Sequence, residues 1–299
     1  MANENKITTA FVIQYHNAYE VAAMQNDSRL LKTAVNRGKI QGESFTINDM
    51  GQVEMSPSGN RFGDTTWTIP DVGVRTALMA DYDLFIPIES RDLPKLKAVP
   101  TDKYMQNLIN ARNRKIDDII YQALVGGVTR TTVNDAGVKS TGTVNLPAGQ
   151  IILSGFGSLK QQIIKAKSIF RTNECDEHNG ETLNMIYTAS MLEDILGDTT
   201  LTSADFMAVK MLQEGAVSGK WLGVNWIPYE KLNNGAGGAT EKRTVMYTSS
   251  AVHFGDADIT GFDISKRPDK KNISQVGGVH SFAAGRANEQ KVVAIDFLV

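Results

Sequence analysis

Over residues 100–127 the apolar side chains recur at steps of three and four: Met105, Leu108, Ile109, Ile116, Ile119, Ile120, Ala123 and Leu124. That spacing lays one stripe along an amphipathic helix. Pro100-Thr101-Asp102 supplies a start, with Thr101 placed to cap the first turn and Asp102 at the positive end of the helix dipole. Gly126-Gly127 supplies the stop. The predicted helix has about 24 residues and a length of ~36 Å, about twice the common size. Arg112 falls on the stripe, one turn from Leu108 and Ile116, so its guanidinium either snorkels outward or meets a partner. Arg114, Lys115, Asp117 and Asp118 lie on the other side and read as solvated pairs.

Alternation dominates the region before this helix. Phe45 and Ile47 alternate with polar residues, residues 48–65 are rich in Gly, Ser, Asn and Asp around Pro57, and Trp67 and Ile69 resume the pattern. Then Val72, Val74, Thr76, Leu78, Ala80, Tyr82, Leu84, Ile86 and Ile88 all fall on even positions. The reading is a long hairpin-like excursion whose return limb, roughly 17 residues, would span about 55 Å if extended throughout. A compact chain of this length has a radius of gyration near ~19 Å. Part of the limb is therefore expected to project, with an apolar row that needs another chain to cover it. Two shorter strands broken near Asp81–Asp83 are the competing reading.

Elsewhere the periods are shorter. Phe11, Tyr15, Ala18, Tyr19 and Ala22 predict an amphipathic helix ending at about Met24; the polar stretch Arg29–Gly38 follows it, so it docks either on its own domain or on a neighbouring subunit. Residues 128–149 suit a surface hairpin, and Leu159, Ile163, Ala166 and Phe170 a helix to about Thr172. Leu183–Thr188 reads as a buried strand, Ser190–Glu193 as a capping box opening a short helix closed by Gly197, and Thr202–Asp205 as a second such opening for a helix ending at Gly215. Strands are expected at Val224–Tyr229 and Thr244–Thr248, which makes residues 154–255 a second α/β region. Ile259–Lys266, Ile273–Ala284 and the alternating Val293, Ile295, Phe297 and Val299 return the chain to sheet.

Composition narrows the function classes. With 41% hydrophobic residues in 299, a sizeable core is available. Thirty-one basic against 33 acidic residues give a net charge of −2, which lacks the basic excess of a sequence-specific nucleic-acid binder. The single cysteine, Cys175, excludes an internal disulfide and any multi-cysteine zinc site. A polar amino terminus and the lack of any run approaching ~18 apolar residues point away from secretion and from the membrane. Candidate chemistry is thin. Gly155-Phe156-Gly157 precedes a helix, but Lys160 stands where a third glycine would complete a dinucleotide loop. Cys175 and His178 have the spacing of half a metal site, and Asp81 and Asp83 share a strand face. A solvated loop and exposed polar positions explain both more simply. No residue is expected to be catalytic or to hold a cofactor or metal.

Several phrases, taken in order, carry a resemblance: Leu78–Asp83 before the long helix, Asn113–Val125 within it, Leu201–Asp205, Arg267–Lys270 with Gln275-Val276, and Gly285-Arg286 with Glu289–Ile295. Together with the order of elements they resemble the major capsid proteins of tailed bacteriophages with the Hong Kong 97-like fold, an α+β architecture, over nearly the whole chain. The resemblance implies an N-terminal arm at 1–39, an extended two-stranded loop and connecting strand at 40–99, a peripheral domain with a spine helix at 100–153, an axial α/β domain at 154–255 with its tip near Gly197–Ser203, and closing peripheral strands at 256–299. It implies self-assembly into hexamers and pentamers forming an icosahedral shell around double-stranded DNA, without sequence-specific DNA binding, membrane association or a cofactor. Phe11, Tyr15, Trp67, Val74, Leu78 and Arg112 are the expected subunit-interface residues. Portal and scaffolding or decoration proteins are the further partners, the virion capsid is the location, and the host cytoplasm is the site of assembly. No fused protease or scaffold is expected before the arm, and no lysine–asparagine crosslinking pair is matched. The competing classes are a soluble α/β enzyme using Asp205 or His178 in a cleft and a phage tail or decoration protein.

Overall fold

A computed structural model describes residues 24–57, 63–64, 67–88, 101–134, 136–197 and 220–299, with the side chains of 101–102 and 258–261 set aside. Phe11 and Tyr15 with their helix, Asp205 with the helix to Gly215, and residues 198–203 of the expected axial tip lie outside the described residues.

The three-and-four spacing is realised as α1, Thr101–Val125. Its stripe divides between two neighbours. Leu108 packs with Ile88 and Val276 in a small cluster, while Ile116, Ile120, Tyr121 and Leu124 enter the main core. Ile109, on the edge of the same stripe, is 43% exposed. The expectation of a solvated opposite face fails at Asp117, which is fully buried. Its carboxylate accepts from the Ser28 hydroxyl (2.5 Å), from the N–H groups of Arg29 (3.0 and 3.1 Å) and Leu30 (3.0 Å), and from the Gln25 amide. A buried charge is tolerable when its lone pairs are filled in this way. The local pattern could not reveal partners nearly ninety residues away.

In chain order the strands are β1 (Val35–Lys39), β2 (Ser44–Met50), β3 (Val72–Leu78), β4 (Ala80–Ile88), β5 (Val128–Val133), β6 (Lys139–Val144), β7 (Ile151–Ile152), β8 (Leu183–Tyr187), β9 (Lys220–Trp221), β10 (Val224–Pro228), β11 (Asn234–Gly235), β12 (Gly238–Thr248), β13 (Val252–Arg267), β14 (Ile273–Arg286) and β15 (Val292–Leu298). They form three sheets: β1-β13-β14-β4, β2-β3-β5-β6, and β7-β15-β12-β8-β10-β9 with β11 added to β12. α1 lies against β13 and β14. Two further helices, α2 (Leu159–Thr172) and α3 (Ala189–Gly197), pack their buried faces into the core of the seven-stranded sheet. A capping box between Ser158 and Gln161 opens α2. α3 begins at Ala189, one residue before the expected capping serine; the Thr188 hydroxyl accepts from Met191 N–H at 3.4 Å.

The alternation over residues 72–88 is two strands rather than one. β3 pairs with β2 and β5, whereas β4 pairs with β14, and the chain passes from one sheet to the other at Met79, whose N–H donates to the Glu43 carbonyl (2.8 Å). A period of two persists through the crossing because both strands are one-sided. Facing, however, changes. In β4 the even residues Tyr82, Ile86 and Ile88 turn inward; in β3 the odd residues Gly73, Arg75 and Ala77 do, leaving the even apolar row on the outer side. At Ala77 the row comes close to β14: a Cβ added at Gly285 would stand 3.2 Å from the Ala77 Cβ, so only a small side chain fits at that position.

β15 also departs from expectation. It runs between β7 and β12 in the seven-stranded sheet rather than closing the outer one, and residues 292–297 are all buried. Its even row, Val292, Ala294, Asp296 and Leu298, does not read as an apolar face because it contains Asp296. That carboxylate is buried against Arg243, whose Nε and Nη2 donate at 2.7 and 2.8 Å.

Candidate subunit interface

The β2–β3 hairpin has two unlike faces. Inward, Phe45 lies across from Ala77, Ile47 from Arg75 and Asp49 from Gly73, and Phe45, Ile47 and Ala77 pack with Ala283 of β14. A Cβ at Gly73 would lie 2.5 Å from both Arg130 Nε and Asp49 Oδ1, so a larger residue there must displace that ion pair. Arg75, only 4% exposed, donates to Asp49 (2.9 Å) and with both terminal nitrogens to Glu289 (one contact at 2.8 Å). Arg130 donates to the same Asp49 (2.8 Å) and to Asp71 (2.9 Å). Arg286, fully buried, continues the chain: it donates to the carbonyls of Leu124 (3.0 Å), Gly126 (2.6 Å) and Val144 (3.0 Å) and lies 3.4 Å from Glu289. The hairpin root is thereby tied to the carboxyl end of α1 and to β6.

Electrostatics follow from this arrangement. Burial pushes the Glu289 carboxyl upward, but the Arg75 hydrogen bonds and charge outweigh it and hold the group below the ordinary glutamate value. Burial lowers the Arg286 guanidinium despite Glu289. Tyr121 of α1 donates to the Arg243 carbonyl (2.7 Å) and accepts from Asn233 N–H (3.0 Å), and burial raises its phenol to about 12.

Outward, the hairpin presents Met50, Val72 and Leu78, the last 73% exposed, with Val74 half-buried between them. Ladder pairing ends where Gly51 N–H donates to the Asp71 carbonyl (2.6 Å). Beyond that point Val53, Met55, Trp67 (88% exposed) and Ile69 stand in solvent. Val74 and Leu78 thus share one face and Trp67 lies past its end. Arg112 belongs elsewhere, in the groove between α1 and the β1-β13-β14-β4 sheet, where its Nη2 is 3.4 Å from Asp256 and its guanidinium lies 5.4 Å from the Phe282 ring centre.

The other candidate chemistry does not converge. Gly155 and Phe156 form a short 3-10 turn ahead of α2. His178 sits in another, capped by Asp176, and Cys175 is half-buried with its thiol pushed up by that burial. Asp81 and Asp83 are exposed on β4. Among the described residues no three metal-ligating side chains come together, and no helix is long and apolar enough to cross a membrane. Of the residues that matter most to the hairpin root, Arg286 and Glu289 lie in phrases that carry the resemblance, Arg75 is marked by a charge set in the row Gly73-Val74-Arg75-Thr76-Ala77, and nothing in the sequence links them to one another.

The chain is similar to known proteins over nearly its whole length. A family model described as phage capsid protein matches residues 7–299. The capsid structure of cyanophage P-SCSP1u superposes with a TM-score of 0.65 at 14% identity, covering 95% of this chain and 92% of that one. The capsid asymmetric unit of cyanophage Pam1 gives 0.66 at 14% identity over 96% of both chains. The capsid of a native GTA particle gives 0.67 at 10% identity over 100% of this chain and 98% of that one. At such identities the likeness is one of fold. No curated protein matches.

Proposed function

The chain belongs to the phage capsid protein family, and from that premise we propose that it is the repeating subunit of an icosahedral shell, assembled as hexamers and pentamers around double-stranded DNA on the Hong Kong 97-like plan. In that plan α1 is the spine helix, the β2–β3 hairpin and its excursion the extended loop, the seven-stranded sheet with α2 and α3 the axial region, and residues 1–39 the arm. The observation that carries the reading is the hairpin itself. Its root is fixed to the body by buried ion pairs, while its outer row and excursion leave Met50, Met55, Trp67, Ile69 and Leu78 in water. A monomer gains nothing from fastening an apolar surface outward; a closed assembly buries it.

Trp67, Val74 and Leu78 are the interface residues of this loop, joined by Arg112 in its groove and by Phe11 and Tyr15 on the arm. A net charge of −2 suits a wall that encloses DNA without holding it by many phosphate contacts. A portal, scaffolding or decoration proteins and assembly in the host cytoplasm complete the proposal.

The test uses the geometry at Gly51 and Asp71. Replacing residues 52–70 by Asn-Gly closes the hairpin as a two-residue turn. Electron microscopy of the unaltered protein is expected to show closed shells, and the shortened variant to remain a folded subunit without them. Normal shells from the variant, or a strictly monomeric unaltered protein, would overturn the reading; rings or tubes would point to a tail protein instead.

A further inference from the structure

We propose that Asn179 is a site of spontaneous deamidation, and that the carboxylate formed there unfastens the loop 173–182 and uncovers Cys175. The inference concerns a single subunit and stands apart from the shell reading.

Two Asn-Gly pairs occur in the chain, Asn179-Gly180 and Asn234-Gly235. Such a pair can cyclise because glycine has no side chain to crowd its own amide. The glycine backbone nitrogen attacks Cγ of the asparagine, the bond from Cγ to the side-chain nitrogen breaks, and ammonia leaves. Water then opens the succinimide to aspartate or to isoaspartate. Ring closure requires the Asn–Gly peptide to swing out of its hydrogen bonds, so the more loosely held pair reacts first. Asn234 and Gly235 are held on several sides: they pair with Lys242 and Gly238 across β11 and β12, Lys242 donates to Asn234 Oδ1 (2.9 Å), and Asp296 and Glu241 accept from the next two N–H groups, Ala236 (3.0 Å) and Gly237 (2.6 Å). Asn179 and Gly180 close one 3-10 turn and are both exposed. Their N–H groups make one long bond each, to the Asp176 and Glu177 carbonyls, both at 3.2 Å.

The position of the Asn179 side chain gives the change its consequence. Its amide nitrogen donates to the Glu174 carbonyl at 2.5 Å, and Glu174, at φ 54°, is one of four non-glycine residues with positive φ among the described residues. A glutamate stays in that region only where its surroundings hold it. Deamidation replaces the donor with an acceptor facing the same carbonyl, charged at neutral pH. The nearby cations Arg171, Lys167 and Lys291 are already paired with Asp176, Glu177 and Glu181. Isoaspartate also adds one carbon to the backbone. Cys175 follows Glu174 directly; it packs half-buried against the main core, with its thiol donating to the Asn173 carbonyl (3.2 Å). Freeing Glu174 therefore frees the thiol.

The experiment ages the purified protein at mildly alkaline pH, labels it with a maleimide and maps it by peptide mass spectrometry. No lysine or arginine lies between Arg171 and Lys210, so one tryptic peptide reports both Asn179 and Cys175. Conversion is expected at Asn179 at least tenfold ahead of Asn234, and Cys175 in the converted peptide is expected to label at least tenfold faster. Asn179→Asp, which begins as the product, is expected to label fast without ageing, and Asn179→Gln to show no rise with age. An Asn179 that stays intact overturns the proposal. So does a converted Asn179 beside a Cys175 that labels as slowly as before. If Asn179→Asp does not fold, the aged unaltered protein decides.

Discussion

Asp117 and Glu289 are buried carboxylates that stabilise by accepting hydrogen bonds from partners far away in the chain. Asp117 fastens residues 25–30 to α1 through four donors. Asp117→Asn sets an amide N–H₂ against backbone N–H groups and is expected to cost about 3 kcal/mol, measured by urea unfolding, with faster proteolysis between residues 24 and 31. Glu289→Gln leaves Arg75 and Arg286 buried with one fewer counter-charge and is expected to cost about 3–5 kcal/mol. The acid response follows from the same groups. Glu289 and Glu181, the latter held down by Ser250 and Lys291 against the upward push of burial, titrate below the ordinary glutamate value. In acid the unfolded chain therefore binds more protons than the folded one. Their contribution is full above about pH 4.3 and is lost as the pH falls through the depressed values. Thermal midpoints followed from pH 6 to pH 3 are expected to fall more steeply for the unaltered protein than for Glu289→Gln.

Elements were legible in proportion to how locally their pattern is set. α1 was readable almost to the residue, because its stripe, its start and its double glycine are all within the helix or beside it. Ile120→Asp is expected to cost about 4 kcal/mol or more and leave little soluble protein, while Ile109→Asp, on the exposed edge of the same stripe, is expected to be tolerated; soluble yield and thermal melting distinguish them. The 72–88 alternation was visible, but a period of two says that a strand has two sides and not which side meets the body. Which row turned inward was decided by Gly285 and Ala283 of β14, some two hundred residues away. The exposed side of the hairpin and its excursion, Leu78 and Trp67, could be read from the sequence. Its anchor, Arg75 to Glu289 at a separation of 214 residues, could not.

On the scale of the whole molecule, three sheets meet through one helix and one chain of charges. α1 shares its first half with the β4–β14 side and its second half with the core of the seven-stranded sheet, and Arg286 joins the end of that helix to the hairpin root. The chain crosses from hairpin to outer sheet through the single residue Met79. A pull on the excursion therefore reaches the body through the covalent joints at Met79 and residues 40–43, through the β3–β5 ladder, and through the side chains Asp49, Arg75, Glu289 and Arg286 that end on the carbonyls of Leu124 and Gly126. Antiparallel strands loaded at one end would unzip a pair at a time, whereas these contacts lie across the strands and must shear together. Because they are shielded from water, added salt weakens them little. Protons reach them through the Glu289 carboxyl. Under tension such a subunit resists in brine and yields in acid.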